Sequence, residues 1–537
     1  MMYKVDLIES WFPAVTDGSL DEVTVGGLLE RMAQKHPDKI ALKELDFEGA
    51  IGRTWTYPAL LAESQRLASA LAARHEKGAR IAVWAPNCPE WVLLEFAAGL
   101  AGLTLVTVNP SYQARELKYV LKQSRAEAIY LVDNFRGNPM KKIADEVCSE
   151  IPAIQHRILL EDSAAMYDGE GASLPDVTPQ DIAQIQYTSG TTGFPKGALL
   201  HHHGLVQNAI DSAGRIETDE NAVILHNMPL FHTTGCAVVL LGGIGVGGTL
   251  LLAPIFDPVM IAKVIEREKV THFMGVPTMI VAIIEVVKKL GTDTSSLQAV
   301  FSGGAMVSPE LCREAKDVLG HYIQIVYGQT ESSPCITGCW GSDSLEDLTT
   351  TIGQPMPNVD VSIRDPQTNE VLPIGQQGEI CARGYLVMHG YNDNPEATAK
   401  TIDKDGWLHT GDLGRMDARG YIKITGRVKE MIIRGGENIF PVEIENAMAE
   451  HPALAEIAVV GVPDRKWGEQ VACFMRAAGD SKPAPDELKA FVRERLSPQK
   501  TPVYWVWVDE WPLTGSGKIQ KFKLAEQFEQ GQLKDTA

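Results

Sequence analysis

An α/β fold is what this sequence predicts, on three observations. Helical and strand-like apolar patterns alternate through roughly the first 350 residues, which implies layers built on mostly parallel sheets. Beyond them the strands shorten and are punctuated by Gly and Pro, as in a β-rich subdomain. The last hundred or so residues read as a separate small α+β unit. A chain of 537 residues has room for roughly two to four such units, and its 45% hydrophobic and 22% charged residues are ordinary for a folded enzyme.

Taken in order, Leu60, Leu61, Leu67 and Leu71 recur at helical spacing, and strand-like runs follow at Ile81 to Trp84 and Ala128 to Val132. The stretch Gly235 to Phe256 is long and apolar enough to span a bilayer, yet its glycines and the run Thr249-Leu250-Leu251-Leu252 fit a buried helix, turn and strand better. Gly243, Gly245 and Gly248 in it match dinucleotide-fingerprint spacing only weakly, since no clear strand leads in. The alternation continues with a helix over Pro258 to Lys269, a strand at Thr271 to Met274, a helix over Thr278 to Leu290, and Ala299 to Phe301 leading into Ser302-Gly303-Gly304. In such folds ligands sit at the carboxyl ends of the strands. Short strands are expected at Val359 to Ile363 and Glu379 to Ala382. The final unit should contain helices at Val442 to Ala449 and Pro485 to Leu496, with strands at Ile457 to Val460 and Val503 to Val508.

A net charge of −20 argues against a general nucleic-acid binder and supplies no basic stripe for an anionic membrane. Anionic ligands must then be met by local positive groups. Eight scattered cysteines lack Cys-x-x-Cys spacing and read as small buried hydrophobes in a reducing compartment. The start of the chain has neither secretory nor mitochondrial leader character, so the cytoplasm is the expected location, with no transmembrane segment.

Two loops carry chemistry. Tyr187 to Gly197 packs the hydroxyls of Thr188, Ser189, Thr191 and Thr192, the glycines Gly190, Gly193 and Gly197, and Lys196 into one stretch. Small residues let backbone N–H groups converge on phosphate oxygens, and the lysine adds a mobile charge. The spacing is not that of a Walker loop, which sets aside an ordinary switch NTPase; a surface hairpin is the bland alternative. Late in the chain, Pro512-Leu513-Thr514-Gly515-Ser516-Gly517-Lys518-Ile519 places a lysine on a glycine-flanked loop that can deliver it to a site and withdraw it.

These loops and six stations between them, in order, resemble the adenylate-forming superfamily of acyl-CoA synthetases, peptide-synthetase adenylation domains and beetle luciferases. The stations are Asn227 to His232, Ser302 to Ala305, Tyr327-Gly328-Gln329-Thr330-Glu331, Gly378-Glu379-Ile380, Trp407 to Asp412, and Gly426 to Lys429. The character is nearest to medium- or long-chain fatty acyl-CoA synthetases. The resemblance implies an adenylation domain over residues 1–426, a hinge at 427–430 and a small mobile α+β domain over 431–537.

It also implies ATP, Mg2+ and coenzyme A as cofactors, and a site in named parts. Thr188, Ser189, Gly190, Thr191, Thr192, Gly193 and Lys196 would hold the β- and γ-phosphates, Glu331 the magnesium and Thr330 the α-phosphate. Tyr327 would face adenine, with Gly303, Gly304, Ala305, Gly328 and Gln329 around it. Asp412 and Arg427 would take the ribose hydroxyls. Lys518 would bridge the attacking carboxylate and ATP. Lys429 would be the hinge that swaps Lys518 for the Gly435-Gly436 loop, beside which pantetheine passes. His232 would stand between acyl pocket and thiol tunnel, as a gate or as a structural residue.

Members specialised for acetate carry a tryptophan where this chain has Gly328. With Gly235, Gly303, Gly304, Ala305 and Met306 as further lining, a deeper apolar pocket is expected. Medium- to long-chain fatty acids lead, with aryl or arylalkanoic acids as the competitor. A luciferase-like oxygenase and a non-catalytic acyl-adenylate binder are the alternatives of another class. The binder is disfavoured by the presence of Lys518 and Glu331. The sequence does not fix oligomeric state, and a homodimer stays open.

Overall fold

The structure is a computed structural model that describes residues 2–16, 20, 22–169, 171–188, 195–304, 307–434, 437–479, 481–513 and 519–535, with backbone alone at 437 and 438. Among them the chain builds four sheets.

The first has seven strands, in the order Gly390–Tyr391, Lys196–His201, Ile182–Thr188, Thr104–Val108, Arg80–Trp84, Ala128–Leu131 and His156–Leu159. From Ile182–Thr188 onward the neighbours are parallel. Inner strands such as Ala128–Leu131 are buried on both faces, which is why they read as unbroken apolar runs rather than alternations. The helix Tyr57–Arg74 packs nearby; Thr56 caps it by accepting from the Ala59 N–H, and Leu60, Ser64, Leu67 and Leu71 form its buried stripe. The second sheet has nine strands. Six parallel ones run from Ile323–Gly328 through Ala299–Gly303, His272–Met274, Val223–His226 and Thr249–Leu252 to Ile40–Leu45. The third is antiparallel and joins Trp11–Phe12 to Val359–Arg364, Gly378–Gly384, Leu408–Met416 and Ile422–Arg427.

One hydrophobic cluster, from Phe12 to Ile422, runs through these three sheets. The fourth sheet, over Ile432–Arg434, Glu437–Ile439, Leu454–Asp464, Gly468–Ala477 and Tyr504–Trp507, has its own cores. Val459, Val471, Cys473 and Met475 face one cluster, with Ile444, Met448 and Leu488. The alternating neighbours Ala458, Val460, Ala472 and Phe474 face the other, with Leu524. Both faces are covered by helices, so the middles of the two long strands, Ala458 to Val460 and Val471 to Met475, are apolar on both sides.

The stretch Gly235 to Phe256 folds as a π-helix over Thr234–Leu241, a short α-helix over Gly242–Val246, a left-handed turn at Gly247 and the strand Thr249–Leu252. Gly243 lies inside that short helix, with no strand leading in, so the dinucleotide reading falls. None of the described helices is long and apolar enough to cross a membrane. The strand expected at Ile457 to Val460 is longer, Leu454–Asp464, because its pairing with Gly468–Ala477 carries past the apolar run at both ends. The strand Trp11–Phe12 had no local signal and is fixed by pairing with Ser362 and Val361.

Candidate active site

The site lies where Ile323–Gly328 ends its run beside Ala299–Gly303 and meets the antiparallel third sheet. Tyr327 projects from the last turn of that strand, and its O–H donates to Asp412 Oδ2 at 2.8 Å. Asp412 sits opposite Arg427 across two paired strands, and Arg427 Nε lies 2.8 Å from the other carboxylate oxygen. Asp412 is buried, and its negative charge raises the Arg427 pKa. Burial, then Asp412, pushes the Tyr327 phenol well up, so it stays a donor. Gly303 is small because a Cβ there would lie 2.8 Å from the Val326 carbonyl oxygen, and Gly304 follows in the left-handed region at φ 78°.

The turn presenting Asp412 is held from behind. Glu379 accepts from the Gly411 N–H at 2.9 Å through one oxygen and pairs with His409 Nδ1 at 2.8 Å through the other. Asp403 lies 3.6 Å from His409 Nε2. The Thr410 hydroxyl accepts from the Asp412 N–H and donates to the Ile380 carbonyl. Hydrogen bonding to Glu379 raises the His409 pKa, while burial pushes the neighbouring Cys381 thiol well up.

The same segment that carries Tyr327 continues through Gln329 into a single 3₁₀ turn, Thr330–Ser332, which holds Glu331 buried. Tyr391 O–H donates to Glu331 Oε1 at 2.6 Å, and Lys196 Nζ stands 4.6 Å from the centre of the Tyr391 ring. Burial, followed by the positive charge of Lys429, lowers the Lys196 pKa. Thr188 and Lys196 pair across the strands that flank the phosphate loop.

Of the residues singled out from sequence, Thr188, Lys196, Gly303, Gly304, Tyr327, Gly328, Gln329, Thr330, Glu331, Asp412, Arg427 and Lys429 therefore gather along one segment and its neighbours. Ser189, Gly190, Thr191, Thr192, Gly193, Ala305, Gly435, Gly436 and Lys518 lie outside the described residues, as does Met306. His232 is exposed just before the π-helix, and its Nδ1 accepts from the Thr234 N–H at 3.2 Å. Gly328 needs a correction. A Cβ there would lie 1.9 Å from the Pro334 carbonyl oxygen, so glycine is demanded by the adjoining backbone and its smallness says nothing about pocket depth. Gly235 is likewise set by close backbone approach, since a Cβ there would lie 2.1 Å from the Pro229 carbonyl oxygen. Sequence reasoning assigned no role to Glu379, His409 or Tyr391. The first two stood in recognised stations, whereas Tyr391 had only a preceding glycine as a signal.

A half-buried tyrosine and an exposed guanidinium meet on the buried carboxylate of Asp412, and a second buried carboxylate, Glu331, follows that tyrosine on one segment at the carboxyl end of a parallel strand, within an α/β architecture. Residues 29–392 match the model of the AMP-binding enzyme family, and residues 443–518 match that of the AMP-binding enzyme C-terminal domain. The chain belongs to the AMP-binding enzyme family and is an adenylate-forming enzyme of acyl-CoA synthetase character. It is 35% identical over 557 residues to the mitochondrial medium-chain acyl-CoA ligase ACSF2 of Rattus norvegicus, covering 97% of this chain and 90% of that one. ATP-bound MatB from Rhodopseudomonas palustris superposes with a TM-score of 0.84 at 28% identity, over 94% of this chain and 99% of that one. The o-succinylbenzoate CoA synthetase MenE from Bacillus subtilis, in complex with its acyl-adenylate intermediate, gives 0.82 at 28% identity over 94% and 98%.

Proposed function

We propose that this enzyme is an ATP-dependent acid–CoA ligase acting on medium- to long-chain fatty acids. The observation that carries the reading is the continuous segment from Tyr327 to Glu331, which engages Asp412 at one end and Tyr391 at the other. A carboxylate is a poor acyl donor because oxide cannot leave. In the first half-reaction a carboxylate oxygen attacks the α-phosphate of ATP and pyrophosphate departs, giving an acyl-adenylate. In the second, the CoA thiolate attacks the acyl carbon, AMP leaves, and the thiol proton goes to solvent.

Asp412 would accept from the two ribose hydroxyls and Arg427 would donate to them, while Tyr327 packs on adenine. Thr330 would donate to the α-phosphate. Lys196, with the 188–193 loop, would offset the charge of the departing pyrophosphate. Lys518 would neutralise charge building between carboxylate and phosphate. It would leave on rotation about Lys429, bringing Gly435 and Gly436 beside the pantetheine arm. Glu331 fits a magnesium ion: one oxygen is engaged by Tyr391, the other remains for the cation, and magnesium takes few protein carboxylates beside phosphate oxygens and water. Bound there, the ion would supply charge neutralisation on the polyphosphate.

The fatty-acid preference is supported by the medium-chain name of the ACSF2 relative and by the wholly apolar, buried run from Ala237 to Leu241 on the π-helix behind His232. Likeness to MenE supports the second reading, an aryl or arylalkanoic acid. The test is incubation with ATP, Mg2+ and CoA against fatty and aryl acids, with AMP, pyrophosphate and thioester measured together. AMP and thioester in equal amounts with C6 to C16 acids are expected. Turnover confined to aryl acids would replace the fatty-acid reading, and ADP as product would overturn the ligase itself.

A further inference from the structure

Tyr391 occupies a position that neither the motif stations nor the adenylation chemistry explains. It lies in the two-residue strand Gly390–Tyr391, which pairs with Ala198 and Leu199 just beyond Lys196. The surrounding backbone is sutured on both sides. The Met388 N–H donates to the Glu331 carbonyl at 3.0 Å, the His389 N–H to Leu199, and the Asn392 N–H to Gly197 at 2.7 Å. The Asn392 amide holds Gln123, whose side chain accepts from the Tyr187 phenol at the start of the phosphate loop. The Tyr391 N–H is itself fixed by the Thr398 hydroxyl at 2.9 Å. Residues 388–392 thus stitch the Glu331 turn to the strand that leaves the phosphate loop, and Tyr391 is the residue whose side chain touches the functional groups of both.

We infer that Tyr391 is a positioning residue for metal and polyphosphate, its O–H holding one oxygen of Glu331 so that the other faces the cation, and its ring face carrying the Lys196 ammonium. The inference rests on the reading of Glu331 as the metal carboxylate. The physical reason is that a carboxylate engaged by one fixed donor has a single rotamer and a single free lone-pair face, whereas an unheld one samples several. Partners of this kind around a metal ligand typically govern metal affinity by about 10- to 100-fold. Lys196 gains a seat that does not neutralise it, since a ring face attracts the ammonium while leaving its charge for phosphate.

Tyr391→Phe keeps the ring under Lys196 and deletes only the O–H. Mg2+ titrated at fixed ATP, followed both by calorimetry and by AMP release, should show a midpoint raised by about tenfold. KM for the acid and the thioesterification of preformed acyl-AMP should not change. In a Glu331→Gln background the substitution should add nothing further, because it acts through Glu331. Tyr391→Leu should add a salt-sensitive loss of ATP affinity through Lys196. If Tyr391→Phe does not fold, Thr398→Ala loosens the same tyrosine and should move the midpoint in the same direction. An unmoved midpoint in the folded variant, or a full effect persisting beside Glu331→Gln, overturns the inference. Should the wild type release no AMP with any acid, the ligase reading fails, while the calorimetric comparison still decides the role of Tyr391.

Discussion

Asp412 has its charge already answered within the fold, and Lys196 does not. The carboxylate has a guanidinium nitrogen on one oxygen and a phenol on the other, both at 2.8 Å, and the turn that presents it is braced by Glu379 and His409. The ammonium, among the described residues, has an aromatic face at 4.6 Å, shares the nearby Glu331 with Tyr391, and feels the like charge of Lys429. One end of the proposed nucleotide site is therefore balanced before a ligand arrives, and the other would be completed by it. A balanced end costs little to keep in shape and selects by geometry. An unbalanced end stores repulsion that a polyanion relieves, so it supplies charge-dependent affinity in a chain whose net charge is −20.

The largest effect should come from Lys518, whose removal tests whether charge at the phosphate end is used in the transition state. Lys518→Ala is expected to slow acyl-adenylate formation by on the order of 10²–10³ while sparing thioesterification of preformed acyl-AMP. Equal losses in both half-reactions, measured by pyrophosphate release and thioester formation, would break the assignment. Next, Asp412→Ala removes the proposed ribose acceptor and strips Arg427 of its carboxylate partner. The KM for ATP should rise by roughly a hundredfold, with the Mg2+ midpoint unchanged. Lys196→Ala should cost less, about tenfold in ATP affinity, and the difference from wild type should shrink at high salt.

The smallest effect concerns the brace. His409 is raised above its ordinary value of 6.5 by Glu379, so its contribution to stability is fully present below pH 6.5 and is lost as pH rises through the raised pKa. His409→Gln should lower the melting temperature by about 2–4 °C at pH 6, with the gap closing as pH climbs above 6.5. Asp403 and Cys381 face the same ring; the thiol, pushed up by burial, stays neutral throughout this range.

Much of this was legible in the sequence because the residues act through type and order. Long helices with regular stripes, such as Tyr57–Arg74 and Pro277–Leu290, announced themselves, and the buried parallel strands showed as apolar runs. Tyr327, Glu331, Asp412 and Arg427 were readable because each sits inside a motif. Tyr391 was not, since its meaning comes from a strand pairing with Ala198, almost two hundred residues earlier, that no local pattern encodes. Gly328 misled for the opposite reason. It was read as an absent side chain facing substrate, whereas the chain beside it, at Pro334, leaves no room for one. A glycine reports what its neighbours demand, and those neighbours are set by tertiary structure.

The contrast between the two ends is tested most directly by titrating the protein with adenosine and with Mg·ATP at low and high salt, about 0.05 and 0.2 M, by calorimetry. Adenosine, which reaches only the balanced end, should bind with nearly the same affinity at both. Mg·ATP should weaken by about tenfold at the higher salt. Equal salt dependence for the two ligands would mean that the charges around Lys196 are already compensated, and would contradict the account.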